Sequence, residues 1–133
     1  VRFPYKEQES RILGKIKRPL VFIEVKTKNN EWILIEDVLA DTGADISLLP
    51  RSIGELILGD ITAGKYVEIK GIAPYAHLIA FVHTLEIRVA NKKIKTIVAL
   101  ADSNDIPPVL GRSGCIDLFN VEYRKGKEII FTE

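Results

Sequence analysis

Short stretches rich in β-branched and aromatic residues recur along this chain, each closed by a turn signal. Leu20-Val21-Phe22-Ile23-Glu24-Val25 ends at the polar Lys28-Asn29-Asn30-Glu31, and Trp32 to Leu39 follows, so the first two stretches predict a hairpin. Lys65 to Lys70 alternates, His77 to Val89 is long and strand-like, and Asn91-Lys92-Lys93 separates it from Ile94 to Leu100. Val121-Glu122-Tyr123 and Ile129-Ile130-Phe131 flank Arg124 to Glu128 as a last hairpin. Only two places suit helix. Pro50 opens a short one through Ile57, since proline is tolerated in a first turn, and Ser113 to Phe119 reads as a helical turn. Many short strands with turns between them predict an all-β sandwich or barrel.

A chain of 133 residues is one domain and long enough to bury a core without staples. Lys and Arg number 19 against 18 Asp and Glu, so no broad field favours nucleic acid or an anionic membrane as partner. No apolar run is long enough to span a bilayer, and the charged N-terminus lacks the apolar centre of a signal peptide. Cys115 is the only cysteine, which excludes an intrachain disulfide and fits a reducing compartment; the expected location is cytoplasmic. His77 and His83 are the only histidines, too few for a histidine-rich metal site, and they read as surface groups. Val1 in place of a methionine fits an excised domain, a processed product or a trimmed chain. Residues 1–17 are mixed and charged and read as an arm or loosely attached strand, with the folded domain over 18–133.

One segment carries chemistry. Val38-Leu39-Ala40 drives straight into Asp41, and Thr42-Gly43-Ala44-Asp45 follows. An aspartate closing an apolar strand is costly to leave ionised and unpaired. Thr42 brings a hydroxyl one residue away, and Gly43 lets a backbone approach closely. A carboxylate on such a loop suits a pair that shares one proton, because two carboxylates at close range do not both ionise easily. The tripeptide also spells an Asx turn, with Asp41 bonded to the backbone two residues on. Asp followed by Ser or Thr and then Gly arises by chance in roughly one chain in twenty of this size, so context must decide.

That context resembles the retropepsin-like aspartic proteases, the single-domain group with retroviral, cellular and prokaryotic members. Arg18-Pro19-Leu20-Val21 precedes the first strand, Leu39 to Asp45 matches the catalytic loop, Gly71-Ile72-Ala73 opens a candidate flap, and Val109-Leu110-Gly111-Arg112 matches an apolar-apolar-Gly-Arg element before a short helix. The resemblance runs from about Arg18 to the C-terminus. It implies a closed β-barrel or sandwich with one or two short helices and an active site at a homodimer interface. Asp41 is then the catalytic residue, one carboxylate per chain. Thr42 fixes the partner loop, Gly43 meets the substrate backbone, and Asp45 and Arg112 form a buried ion pair within the subunit. Arg18 approaches Asp45 of the other chain. Gly71, Ile72, Ala73, Pro74, Tyr75 and Ala76 form the flap over an extended peptide. Ile72, Leu78, Ile79 and Val109 are the apolar residues for side-chain pockets. No cofactor or metal is implied.

Three departures stand out. The N-terminal segment is longer than the family minimum, the flap has Pro74-Tyr75 where retroviral members are glycine-rich, and the chain continues past the helix into a further hairpin. Ala44 offers no hydroxyl to the neighbouring carboxylate, which predicts activity reaching toward mildly acidic or neutral pH. The expected function is an aspartic endopeptidase acting as a symmetric homodimer on a peptide or protein. The alternative is a catalytically silent module that keeps the fold for dimerisation or peptide binding. Aspartyl-phosphate chemistry is set aside, since its spacing and an α/β pattern are both missing.

Overall fold

The computed structural model of the chain describes residues 1–70 and 77–133. In chain order the strands are β1 (Arg2–Pro4), β2 (Lys6–Ser10), β3 (Gly14–Arg18), β4 (Leu20–Lys26), β5 (Trp32–Ala40) and β6 (Ser47–Leu49). Helix α1 (Arg51–Leu58) comes next, followed by β7 (Lys65–Lys70), β8 (His77–Val89), β9 (Lys92–Ala101), β10 (Val109–Leu110), β11 (Asn120–Arg124) and β12 (Glu128–Thr132).

Six strands close a barrel in the order β4-β5-β10-β6-β9-β8, and β8 returns to β4 through the pairs Glu24–Arg88 and Val25–Ile87. Strand β7 hangs on the outer part of β8. Closure follows from the residues. Alternate positions of the long strands are apolar, so each strand turns one row inward. Val21, Ile23 and Val25 of β4 meet Ile87 and Val89 of β8 and Ile94, Val98 and Leu100 of β9 in one buried cluster. Each such side chain sealed from water contributes about 1.5–3 kcal/mol. Trp32 starts β5 with the Arg88 guanidinium stacked 3.9 Å from its ring centre.

Helix α1 begins after Pro50, whose φ of −67° suits a helix entry, and it buries Gly54 and Ile57. A Cβ at Gly54 would stand 3.2 Å from the Leu100 side chain, so glycine lets the helix lie directly on β9. Among the described residues no helix is long and apolar enough to cross a membrane.

Residues 1–17, expected as an arm or a loosely attached strand, are largely strand. Strand β1 pairs with β12 in a three-stranded sheet ordered β1-β12-β11, and Phe3 is buried between Phe22 and Phe131 in edge-to-face contacts. Strands β2 and β3 form a separate hairpin. The register sets Glu7 opposite Lys17 and Glu9 opposite Lys15. Opposite charges facing across a pair of strands favour that register. His83 also differs from its reading as a surface group. It is half-buried, and its Nε2 lies 2.6 Å from the Ile61 carbonyl oxygen. His77 is exposed, 3.9 Å from Glu68.

Candidate active site

Strand β5 delivers Asp41. Val38 and Ala40 point into the core, and the chain leaves the barrel wall at Asp41, turns, and re-enters as β6. The two-residue β10 lies between the two arms of this turn. It runs parallel to β5 (Val109 beside Leu39, Leu110 beside Ala40) and antiparallel to β6 (Val109 beside Leu48). The Asp41 N–H donates to Leu110 O at 3.0 Å and the Leu39 N–H to Pro108 O at 2.9 Å. Beyond β10, the Arg112 N–H donates to Ala44 O and the Ser113 N–H to Asp45 O, each at 2.9 Å. The loop is therefore clamped on both flanks by one passing strand.

Gly111 makes the clamp possible. A Cβ there would lie 2.5 Å from both the carbonyl carbon and the oxygen of Ile46, so only glycine fits. Its N–H donates to the buried Ser47 hydroxyl at 2.9 Å, and that hydroxyl donates to Cys115 Sγ at 3.4 Å. Behind the loop, the Tyr123 hydroxyl on β11 donates to Ala40 O at 3.1 Å, one residue before Asp41. Burial pushes the Tyr123 phenol above its ordinary value, and the charges of Tyr5 and Asp41 act in the same direction.

Inside the loop, the Gly43 N–H donates to Asp41 Oδ1 at 2.8 Å and the Ala44 N–H to Asp41 O at 3.2 Å. The Asx turn open to the sequence is thus present, and it aims the carboxylate. One oxygen is held by a backbone donor. Oδ2 has no hydrogen bond among the described residues. A side chain at 43 would place its Cβ 3.1 Å from Oδ1, so glycine keeps the approach to Asp41 open.

The outward half of the loop is different. Thr42, Gly43 and Asp45 are exposed. Asp45 and Arg112 are 3.9 Å apart with Asp45 93% exposed, so this ion pair is present but solvated, where a buried one was expected. Arg112 divides itself between Asp45 and Asp117, the latter 3.5 Å from Nε. Arg18 lies at the end of β3, just before Pro19, whose carbonyl accepts from the Ala40 N–H at 3.1 Å. Its Nε is buried with no hydrogen-bond partner among the described residues.

A cleft of ≈380 Å³ opens over the loop. Asp41, Gly43, Ala44 and Asp45 form one side; Ile46, Leu48, Val109 and Ile69 supply an apolar wall, with Lys70 at the rim. Val109 is a pocket residue of the sequence reading found here. Leu78 and Ile79 do not line this cleft. Gly71, Ile72, Ala73, Pro74, Tyr75 and Ala76, the flap of the sequence reading, lie outside the described residues. The strands that lead to and from them, β7 and β8, bring Ile69 and Lys70 to the cleft. Sequence reasoning missed Ile69, Lys70, Ile46 and Leu48 as wall residues, and Ser47, Asp117 and Tyr123 as braces. The alternation of Lys65–Lys70 marks Val67 and Ile69 as one face, but only the register with β8 shows where that face looks. Among the described residues no three of His, Cys, Asp and Glu gather as a metal-holding group.

The fold has a counterpart among solved structures. The chain is similar to EIAV protease complexed with the inhibitor HBY-793, with a TM-score of 0.53 and 27% sequence identity over 77% of this chain and 88% of that one. The fold is retropepsin-like. No protein-family model and no curated protein matches the sequence.

Proposed function

We propose that this chain is an aspartic endopeptidase that works as a symmetric homodimer. The observation that carries the reading is the Asp41 carboxylate, which lines a cleft of ≈380 Å³ with one oxygen held by the Gly43 N–H and the other without a hydrogen bond among the described residues. One carboxylate per chain makes half of a shared-proton pair, so the second comes from a second copy, with the site on the two-fold axis. A water between Asp41 and the partner's Asp41 attacks the scissile carbonyl. One carboxylate takes the water's proton while the other donates to the carbonyl oxygen, and neither step forms a covalent bond to the protein. The substrate lies extended, with main-chain hydrogen bonds at Gly43. Ile46, Leu48, Ile69 and Val109 receive an apolar side chain next to the cleaved bond. Thr42, exposed at the loop tip, reaches the partner loop, and Arg18, whose Nε has no hydrogen-bond partner among the described residues, approaches the partner's Asp45.

The test is cleavage of an unbiased peptide mixture from acidic to neutral pH by the intact protein and by Asp41→Asn. Cleavage by the first and none by the second is the expected result. Identical product profiles from both leave the silent dimerisation or peptide-binding module as the reading. The substitution removes a charge at a half-buried position and keeps the side chain's shape, so the melting temperature of the two proteins serves as the control for folding.

A further inference from the structure

The β2–β3 hairpin has a construction that a single chain leaves unexplained. A two-stranded hairpin alone in water is marginal at best. Among the described residues both strands pair only with each other and make no extended contact with the barrel. The two faces of the hairpin differ. Glu7, Glu9, Lys15 and Lys17 share one face, and all are exposed and matched in opposite-charge pairs. Gln8, Ser10 and Ile16 share the other, which carries no charge until Lys6 and Arg18 at its root. At the tip, Ile12 and Leu13 are 90% and 70% exposed. Their N–H groups both donate to Ser10 Oγ at 3.3 Å, which fixes the turn and turns two large apolar side chains to solvent. One solvated face, one neutral face and an apolar tip describe an element built to cover something.

The position of the root says what. The Lys6 ammonium bonds the Asp37 carboxylate on β5 at 2.8 Å, and Arg18 leads into Pro19, bonded to Ala40 beside Asp41. The hairpin thus springs from the side of the barrel that presents the half-site. A stable pairing of two chains needs about 800 Å² from each. The exposed loop from Thr42 to Asp45 is too small to supply that area alone. We infer that the β2–β3 hairpin is a dimer arm, its neutral face and its Ile12–Leu13 tip seated on a second copy of this chain. This rests on the reading of Asp41 as half of a two-chain site. By symmetry the two arms are exchanged, each chain gripping the other next to the shared carboxylates.

Sedimentation velocity of the full chain across a concentration series tests the arm. The proteins compared are the unaltered chain, the tip variant Ile12→Asp with Leu13→Asp, and Glu9→Gln on the solvated face. The tip side chains touch little of their own chain, so the variant folds, and its circular dichroism melt verifies this. The expected result is a dimer for the unaltered chain and for Glu9→Gln, and a dissociation constant raised by roughly tenfold or more in the tip variant. Peptide cleavage per dimer at saturating protein stays the same. A tip variant that dimerises as tightly as the unaltered chain overturns the inference, as does an unaltered chain that stays monomeric at every concentration. So does a tip variant whose only loss is co-sedimentation with phosphatidylserine vesicles, which would make the arm a membrane probe. A chain that dimerises through its tip yet cleaves nothing breaks the protease reading and keeps the arm. A chain that cleaves as a dimer indifferent to its tip does the reverse.

Discussion

The two sides of the Asp41 loop are built to opposite specifications. On the inner side, Gly111, Ser47, Cys115 and Leu110 are buried, and the polar groups of Gly111, Ser47 and Cys115 bond one another. On the outer side, Thr42, Gly43, Asp45 and Arg112 stand in solvent, and Arg112 is shared between two solvated carboxylates, Asp45 at 3.9 Å and Asp117 at 3.5 Å. Buried Gly111 is next to exposed Arg112, and a single residue lies between exposed Asp45 and buried Ser47, so a finished interior abuts a surface that resembles half of one. A single chain therefore completes the support of the carboxylate without completing its surroundings. Stability should respond to the inner side and function to the outer.

Gly111→Ala is the harshest way to break that contrast. The new Cβ meets backbone at 2.5 Å, so the loop or β10 must move, at a cost of about 3 kcal/mol in urea denaturation. An unchanged midpoint would show that the strand is not tightly clamped. Ser47→Ala comes next. It leaves the buried Gly111 N–H without an acceptor and lowers stability by about 2 kcal/mol. A loss within error of zero would mean that Gly111 finds another acceptor.

Tyr123→Phe is smaller, about 1 kcal/mol at neutral pH, for one half-exposed hydrogen bond to Ala40. It also carries a pH signature. The phenol ionises at higher pH in the folded chain than its ordinary value of 10.0, so the folded state favours the neutral form. That contribution is complete below pH 10.0 and is lost as pH rises through the folded value. The stability of the unaltered chain should fall more steeply above that pH than that of the phenylalanine variant, and parallel curves would refute the assignment. Arg112→Ala should affect stability least, by less than about 0.5 kcal/mol, because both its partners are solvated. The same change should lower peptide cleavage on the order of tenfold, through a misplaced loop. Equal losses in both measurements would erase the contrast between the two sides.

Much of this arrangement is legible along the chain, and the reason is local. Leu20–Val25, Trp32–Leu39 and Ile94–Leu100 carry their strand signal in their own composition, and Pro50 marks the helix one residue before it starts. Asp41-Thr42-Gly43 and Leu110-Gly111-Arg112 are contiguous strings, so both halves of the clamp can be read separately. What joins them is not local. The Ser47–Gly111 bond spans 64 residues and the Tyr123–Ala40 bond 83, and neither leaves a mark on the residues between. Residues 6–18 are legible only in part. Their mixed charge reads as an arm or a loosely attached strand, and the pairing of Glu7 with Lys17 stays hidden because a register is a property of two strands at once. Ile69 is legible as apolar and illegible as a cleft wall, because burial against a ligand and burial in a core look alike in one sequence.

Cys115 closes the inner side and has a practical consequence. Its thiol is fully buried, and burial pushes its ionisation above the ordinary range despite the hydrogen bond that it accepts from the Ser47 hydroxyl. Electrophilic reagents, which a thiolate must attack, meet neither the charge nor the access that they require. A cysteine introduced on the exterior would therefore be the one position that a maleimide dye or a spin label marks in the native protein. The chain comes ready for distance measurements between two copies, with no native residue to remove first.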